Sequence, residues 1–353
     1  MPASHHEAAG TLETLAYAAS WITISSAVVI YNKWILTVLK FPYPIALTMA
    51  HMALNTIFAT IGVWSGLVPL DKKSMSISAY IRGILPIAGL FSIVLWFGNT
   101  AYLYLSVSFI QMLKAIMPAL VYVVSVSMGL TTFGSGKVLN ILLICVGVAI
   151  ASYGELLFNF TGFSLQITSS LAEALRLALL QILVQKLGLK LNPISTVYYI
   201  APPCFFFLSV PFMLAELPQM VRVTIVAARA LKFTHSMGED LSLPASHPMQ
   251  ISAIQISPTS LVVSPLHMLL NAMTAFALNV CIFAFVARTS ALTMSLAGII
   301  KDWGLIVMSY LMFSSPISAL NLIGYGIAFG GLMVWNRDKF RGLINHSRKN
   351  DDP

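Results

Sequence analysis

The chain has 353 residues, of which 58% are hydrophobic and only 9% are charged, and its formal net charge is +8. A soluble domain usually carries about 25% charged residues, so this composition excludes a water-soluble globular protein. The basic residues are spread over short polar segments and the C-terminus, whereas a nucleic-acid-binding protein would concentrate them in one block.

Ten apolar runs follow one another along the chain, each long enough for a helix that crosses about 30 Å of hydrocarbon. They lack the strict alternation of apolar and polar residues that the strands of a membrane β-barrel require. The sequence therefore predicts an all-α, polytopic membrane protein with about ten transmembrane helices. The predicted spans are residues 15–38, 43–66, 81–105, 107–130, 137–154, 162–187, 194–218, 265–288, 289–313 and 316–336.

Polar segments divide these spans into two halves. Residues 1–14 form a short N-terminal tail and residues 337–353 a basic C-terminal tail. Residues 15–154 contain the first five spans, and residues 155–336 contain the second five. Within the second half, residues 219–263 are rich in Ser, Pro and His and show no clear period, so we expect a long loop of low order there.

The distribution of Lys and Arg predicts the orientation in the membrane. Of these 20 residues, twelve lie on the side shared by both termini and the even-numbered connections, five lie on the other side, and three lie within spans. Short cytosolic connections carry an excess of positive charge in membrane proteins. We therefore expect both termini in the cytosol and the long loop in a lumen.

One short pattern occurs once in each half. Leu105-Ser-Val-Ser108 is followed after five residues by Lys114, and Leu292-Thr-Met-Ser295 is followed after five residues by Lys301. Five spans separate the two copies, and an odd number of spans per repeat turns the second half upside down relative to the first. The spacing predicts two inverted five-helix repeats, an arrangement on which many transporters are built.

Two of the charges within spans belong to this repeated pattern. A lysine in the middle of a span costs about 2.5–3.5 kcal/mol, so it requires water, a partner or a ligand. Lys114 shares its predicted helix face with Tyr104, Ser108 and Gln111, which indicates a polar stripe along a cavity. Lys301 is also in mid-span, with Asp302 directly after it. We expect the two lysines to converge on one anion.

Other polar or aromatic residues allow two interpretations each. Glu173 and Arg176 lie one turn apart on the sixth span, where they either neutralise each other or line the same cavity as the lysines. Tyr198 either packs in the bundle or stacks on a sugar or base ring. Lys33, at the end of the first span, either extends to the membrane interface or acts as a gate. The sixth span also carries a stripe that we expect to line the cavity, formed by Gln166, Ser169 and Ser170.

Motifs of enzymatic chemistry are missing from the sequence. It has no metal-ligand spacing, no phosphate-binding glycine loop and no nucleophile elbow. The sequence therefore predicts a protein that is not an enzyme and that needs no cofactor.

Five segments together resemble the triose-phosphate and nucleotide-sugar translocators of the drug/metabolite transporter superfamily. This resemblance covers nearly all the spans. It implies ten helices in an inverted repeat and exchange of an anionic sugar derivative for phosphate or a nucleoside monophosphate. The segments are YNKWIL at 31–36, FPYPIALTMAHM at 41–52, SVSFIQMLKAIMP at 106–118, LNPISTVYYIAP at 191–202 and TSALTMSLAGIIKDW at 289–303.

The resemblance also implies that Lys114 and Lys301 are the two lysines that bind the substrate anion. Plastid phosphate translocators of this family have an arginine after the second lysine and a histidine three residues before the first. Here those positions are Asp302 and Gln111. The extra acid should weaken binding of a small phosphate dianion and favour a larger substrate whose hydroxyls Asp302 can accept.

These departures favour one function over two alternatives. We expect an antiporter that exchanges a nucleotide sugar, namely a UDP-sugar, for a nucleoside monophosphate across the Golgi membrane. The alternatives are a sugar-phosphate/phosphate translocator of a plastid-type membrane and a non-transporting membrane scaffold. An ER location is a further alternative. The expected partners are this solute, a phosphate-bearing counter-substrate and membrane lipid, but no nucleic acid, and a homodimer is left open.

Overall fold

The computed structural model describes residues 3–67, 76–187, 193–236, 265–288 and 291–334 of the chain. Within these ranges the protein consists of ten helical rods and contains no strand. Seven of the described helices are long and apolar enough to cross a membrane. The rods are α1 (Ala3–Thr37), α2 (Pro44–Trp64), α3 (Ile77–Tyr104), α4 (Val107–Ser127), α5 (Ser135–Tyr153), α6 (Phe160–Leu187), α7 (193–236), α8 (Pro265–Arg288), α9 (Ala291–Phe313) and α10 (Ala319–Val334).

This architecture confirms the predicted all-α, polytopic membrane protein, since each predicted span overlaps one rod. The first rod, however, already begins at Ala3, within the segment that was predicted as an N-terminal tail. The inverted repeat is visible in the most extensive helix contacts, because each of them recurs when both helices are replaced by the helices five places away in the chain. The pair α3–α6 has its counterpart in α8–α1, α3–α7 in α8–α2, and α4–α6 in α9–α1. Three pairs, α2–α7, α4–α9 and α5–α10, are their own counterparts. The bundle therefore has an approximate two-fold axis.

The crossing of α5 and α10 is the tightest of these contacts. A side chain at Gly147 would collide with the backbone nitrogen of Ala328, and one at Gly324 would collide with that of Ala151. Each helix thus carries a glycine and an alanine four residues apart that lie on the partner backbone. Small residues at this spacing let two helices approach closely in a membrane.

A break divides α4 next to its lysine. The first segment is Val107–Lys114 and the second is Met117–Ser127, and between them Ala115 and Ile116 donate to carbonyls three residues back. Pro118 has no N–H for the carbonyl of Lys114 and its ring would clash with that carbonyl, so the helix tightens there. The sequence therefore interrupts the regular α-helix of α4 directly after Lys114.

The helix α7 contradicts part of the predicted loop at 219–263. It passes through a π-helical turn at Phe212–Glu216 and continues as an α-helix, Leu217–Ser236. The chain has no glycine or proline from 219 to 236, so nothing in the sequence stops the helix. The remainder of the predicted loop lies outside the described residues.

Glu216, at the end of the π-helical turn, joins α7 to α2. Its two carboxylate oxygens accept hydrogen bonds from the backbone N–H groups of Ile45 and Ala46, each at 2.8 Å. These are first-turn donors of α2 that would otherwise lack a partner, and the negative charge complements the helix dipole.

A chain of buried side-chain hydrogen bonds connects four helices of the two halves. His51 on α2 bonds through Nε2 to Oδ1 of Asn271 on α8. Asn271 donates to Asn32 on α1 at 3.0 Å, and Asn32 donates to Asn99 on α3 at 3.4 Å. Asn99 in turn donates to Thr48 on α2 at 2.9 Å. These hydrogen bonds hold α1, α2, α3 and α8 together near one end of the bundle.

Candidate functional site

A cavity of about 550 Å³ lies between α4, α5, α6, α9 and α10. Its lining includes Thr131 in the α4–α5 connection and Leu332 near the end of α10, which both belong to the side of the bundle where α1 begins. We call this the N-terminal side. The cavity therefore opens to the N-terminal side and ends near the middle of α4 and α9. The charged and polar residues of its lining include Gln111, Lys114, Tyr122, Ser125, Thr131, Lys137, Gln181 and Asp302, and the apolar Leu177 also lines it.

The inner end of the cavity carries Lys114, Gln111 and Asp302. The carboxylates of Asp302 and Glu173 are the acidic groups whose fields reach the Lys114 ammonium. Gln111 is only 1% exposed, and neither its amide oxygen nor its amide nitrogen forms a hydrogen bond of normal geometry among the described residues, although the Tyr102 hydroxyl lies near the amide. A buried amide without partners costs free energy unless a ligand or water fills its valences. The inner end of the cavity therefore combines a cation, a carboxylate and an amide with unused hydrogen-bonding capacity.

Lys301 lies beside this inner end and does not itself line the cavity. Its Nζ is 3.2 Å from Oδ1 of Asp302, and it lies 5.7 Å from the ring centroid of Trp21 on α1. Asp302 thus stands between the two lysines, paired with Lys301 and within electrostatic range of Lys114. One lysine contacts the cavity directly, and the other reaches it through this carboxylate.

The outer half of the cavity contains a second cation. Lys137 Nζ lies 5.0 Å from the ring centroid of Tyr122, whose hydroxyl accepts a 2.8 Å hydrogen bond from the N–H of Gly134. The hydroxyls of Ser125 and Thr131 and the amide of Gln181 line the same region. The sequence analysis missed this residue because Lys137 follows the α4–α5 connection and was counted only as a topology signal.

The opposite end of the bundle is closed by polar contacts between α4 and the α9–α10 connection. The N–H of Ser108 donates to Oγ of Ser309 at 3.3 Å, and Ser309 Oγ lies 3.2 Å from Ser315 Oγ. Ser108 is 2% exposed and lies in this contact, and Tyr104 lines a separate pocket on the closed side. In this structure these two residues lie outside the cavity, whereas Gln111 of the same predicted stripe lines it, and a role of Ser108 and Tyr104 in substrate binding stays a prediction.

Lys33 lies in the same closed region. Its ammonium donates to the backbone carbonyls of Tyr102 and Leu105 at the end of α3, at 3.0 Å in the case of Leu105. These carbonyls have no partner within the helix, so Lys33 caps α3 from the neighbouring helix α1. The cap lies on the side opposite the cavity mouth, and the choice between an interfacial and a gating role for Lys33 stays a prediction.

The polar residues of α6 serve packing within the bundle. Arg176 donates to both oxygens of Glu173 at 2.6 and 2.7 Å, and its guanidinium lies 4.9 Å from the ring centroid of Phe91. This geometry supports mutual neutralisation of the two charges. The predicted stripe does not line the cavity, because it lies beyond the closed inner end: Ser169 donates to Val94 on α3 at 3.0 Å, and Gln166 donates to Ser170 at 3.3 Å.

Tyr198 does not line the cavity either. Its ring packs against that of Tyr199 with a centroid distance of 5.2 Å. The surface of α6 that does face the cavity carries Leu177 and Gln181 instead. These two lie one and two turns after Glu173, on the same face of α6 and closer to the mouth.

Comparison with known proteins agrees with this architecture. The family model described as the Triose-phosphate Transporter family matches residues 12–336. Two proteins of Arabidopsis thaliana, both named "Probable sugar phosphate/phosphate translocator", are 40% identical over 329 and 335 residues. These alignments cover 93% and 94% of this chain and 84% and 79% of the relatives. The chain is therefore a membrane transporter and not an enzyme, and it belongs to the Triose-phosphate Transporter family.

Proposed function

We propose that this protein exchanges a sugar phosphate for inorganic phosphate across a membrane. The names of the Arabidopsis relatives support this substrate class over the nucleotide sugar that the sequence analysis favoured. The observation that carries the proposal is the position of Lys114 at the closed end of a cavity that opens to one side. A lysine at such a depth requires an anionic partner, and Asp302 is already paired with Lys301.

Each residue at the inner end has a role in this proposal. The Lys114 ammonium binds the phosphate group, and the unpartnered Gln111 amide donates to and accepts from sugar hydroxyls. Asp302 accepts from a hydroxyl while Lys301 keeps its charge neutralised. When phosphate enters, it competes with Asp302 for both lysines, so binding rearranges the contact between α4 and α9.

A nucleotide sugar remains a second candidate because of Asp302. An acid in the wall of the cavity weakens the attraction for a small dianion and suits a solute with several hydroxyls. The volume of about 550 Å³ falls within the usual range for ligand pockets and does not exclude a larger solute. The substrate pair in this case is a UDP-sugar and a nucleoside monophosphate.

Exchange in proteoliposomes separates these candidates. Purified protein is reconstituted with internal phosphate or internal UMP, and uptake of labelled glucose 6-phosphate, triose phosphate and a panel of UDP-sugars is measured. We expect phosphate-stimulated uptake of a sugar phosphate. Uptake of a UDP-sugar stimulated only by UMP would replace the proposal with the second candidate, and absence of all uptake by folded protein would support a scaffold.

Replacement of the inner lysine tests the site. Loss of a charge-assisted hydrogen bond of about 1.5–3 kcal/mol should lower kcat/KM for the sugar phosphate about 10-fold to 100-fold in Lys114→Gln. Lys301→Gln should also lower kcat/KM, because Asp302 then stands unpaired in the cavity. Arg82, exposed and on the N-terminal side, provides the control Arg82→Gln, which should leave kcat/KM unchanged. Unchanged kinetics in both lysine variants would remove the assignment.

We also propose cytosolic termini, which rest on the distribution of Lys and Arg, and a Golgi membrane, which rests on the departure of Gln111 and Asp302 from the residues of the plastid translocators. Fluorescent tags at each terminus should respond to protease in selectively permeabilised cells, and the tagged protein should overlap with a Golgi marker. A tag protected by the organelle membrane would reverse the orientation, and overlap with a plastid or ER marker would reassign the membrane.

A further inference from the structure

We propose that Lys137 forms a second anion-binding station at the mouth of the cavity, which takes the phosphate group of the solute before it reaches Lys114. The station comprises the Lys137 ammonium, the Tyr122 ring and the polar groups of Ser125, Thr131 and Gln181. It rests on the proposed function, since it assigns a further site to the same solute. Its ligand is the phosphate group itself, whether on a sugar or as inorganic phosphate.

Tyr122 determines where the ammonium of Lys137 lies. The N–H of Gly134 donates to the tyrosine hydroxyl at 2.8 Å, and that hydroxyl lies 3.5 Å from the carbonyl oxygen of Thr132. The ring is thereby joined to the α4–α5 connection, and the ammonium lies 5.0 Å from its centroid. Since Lys137 and Tyr122 both line the cavity, this contact places the positive charge in the cavity wall near the mouth.

The two cations are too far apart along α4 to bind one phosphate together. Tyr122 follows Lys114 by eight residues, which corresponds to about 12 Å along a helix axis. Across that distance, in a cavity open to water, one ammonium changes phosphate affinity at the other by about twofold or less. The cavity therefore contains two nearly independent positions in series, and the outer one belongs to the N-terminal side alone.

This arrangement predicts a particular kinetic signature for the outer lysine. An anion contact at a solvated lysine should change affinity about fivefold, so Lys137→Gln should raise KM for inorganic phosphate about fivefold while kcat stays within about twofold. The effect should appear only when phosphate enters from the N-terminal side of oriented vesicles, and it should shrink at high salt. Lys137→Arg should restore the KM, and Arg82→Gln should match the wild type.

Tyr122 variants separate the ring from the hydroxyl. Tyr122→Phe keeps the ring face and should leave KM for phosphate within about twofold of the wild type, whereas Tyr122→Leu should approach the KM of Lys137→Gln. An unchanged KM in Lys137→Gln, an equal effect from both sides, or the same effect in Arg82→Gln would overturn the proposal.

A binding assay tests the station without transport. Leu177 is 36% exposed and lines the cavity without belonging to the station, so Leu177→Cys, with Cys145, Cys204 and Cys281 replaced by serine, should react with a maleimide, and inorganic phosphate should slow that reaction. Protection should persist in Lys114→Gln and disappear in Lys137→Gln. The reverse pattern, or no protection at all, would reject the outer station. If protection is found but no uptake is seen, the proposed exchange fails and the station stands.

Discussion

At the residue scale, Glu155 shows how a buried acid can be held at the end of a span. It follows α5, is 8% exposed, and accepts a 3.3 Å hydrogen bond from Asn321 through Oε2. Its other oxygen, Oε1, has no partner within the described residues. Burial raises the pKa of the Glu155 carboxyl above its usual range, although the Asn321 hydrogen bond acts in the other direction.

This shift predicts a pH dependence of stability. Because the pKa of Glu155 is raised in the folded state, the group carries no penalty below its unfolded pKa of about 4.3, and stability is lost as pH rises through the folded pKa. Glu155→Gln should keep the Asn321 contact and raise Tm by about 2–4 °C at pH 8, with little change at pH 4.5. Thermal unfolding in detergent across this pH range measures the effect. Parallel pH profiles of wild type and variant would contradict it.

The same scale shows which site residues sequence reasoning can find. Lys114 was predictable because a lysine in a span is costly, whatever surrounds it. Glu216 was not, since the α2 donors that it caps lie 171 and 170 residues away in the chain. His51 and Asn271 were missed for the same reason, because their hydrogen bond joins residues 220 positions apart. The sequence alone shows that a polar residue in a span is costly to bury, but it does not show which distant residue compensates that cost.

At the element scale, the helices were predictable and their interruptions less so. A long apolar segment predicts a membrane-spanning helix, because in lipid the backbone can satisfy its hydrogen bonds only within the segment itself. The break in α4 follows from Pro118, yet periodicity alone treats residues 107–130 as one helix. The continuation of α7 to Ser236 was missed because a Ser-, Pro- and His-rich composition was assigned to the whole segment, although these residues are concentrated after position 236.

The crossing of α5 and α10 provides a test at this scale. Gly324→Ala places a methyl group against the Ala151 backbone and, at 2.6 Å, against the Gly147 carbonyl oxygen, so we expect destabilisation of about 1–3 kcal/mol. Gly326 and Gly330 lie on the same helix with no neighbour within 4 Å of an added Cβ. Alanine at either position should be neutral or stabilise the helix by up to about 1 kcal/mol.

Urea or thermal unfolding of the three variants in one detergent makes this comparison. The contrast between Gly324→Ala and its neighbours isolates close packing from helix propensity, because the substitution is the same in each case. Equal stability of all three would show that α5 and α10 separate easily, contrary to the crossing described here.

At the scale of the whole molecule, the sequence predicted the inverted repeat from a pattern of four residues per half. It could not predict which side of the bundle is open, because both conformations of a transporter share one sequence. That choice depends on contacts that form in only one of them, such as Lys33 with the end of α3 and Ser108 with Ser309. The position of the cavity mouth had to come from the structure.

The closure opposite the cavity mouth can be tested through Lys33. In a background with Cys145, Cys204 and Cys281 replaced, Ser108→Cys should resist an impermeant maleimide, because Ser108 is buried in the closed contact. Adding Lys33→Met removes the cap on α3, shifts the population towards the oppositely open state, and should raise the labelling rate about tenfold from that side.

Tyr153→Cys serves as the control, since Tyr153 is 88% exposed at the end of α5 on the same side of the bundle and should react at the same rate with or without Lys33→Met. An unchanged rate at Ser108→Cys would mean that Lys33 stabilises α3 without holding the closure.

Because the main helix contacts of one half have counterparts in the other half, the two halves can exchange conformations without losing those contacts. If each half adopts the conformation that the other now holds, the main backbone packing is regenerated with the mouth on the other face. The free-energy gap between the two states then arises from side chains without an equivalent in the other repeat, Lys33 and Glu216 among them. Natural variation at such positions would change the fraction of time that the cavity is open to each side of the membrane, without changing the affinity of the site for its solute.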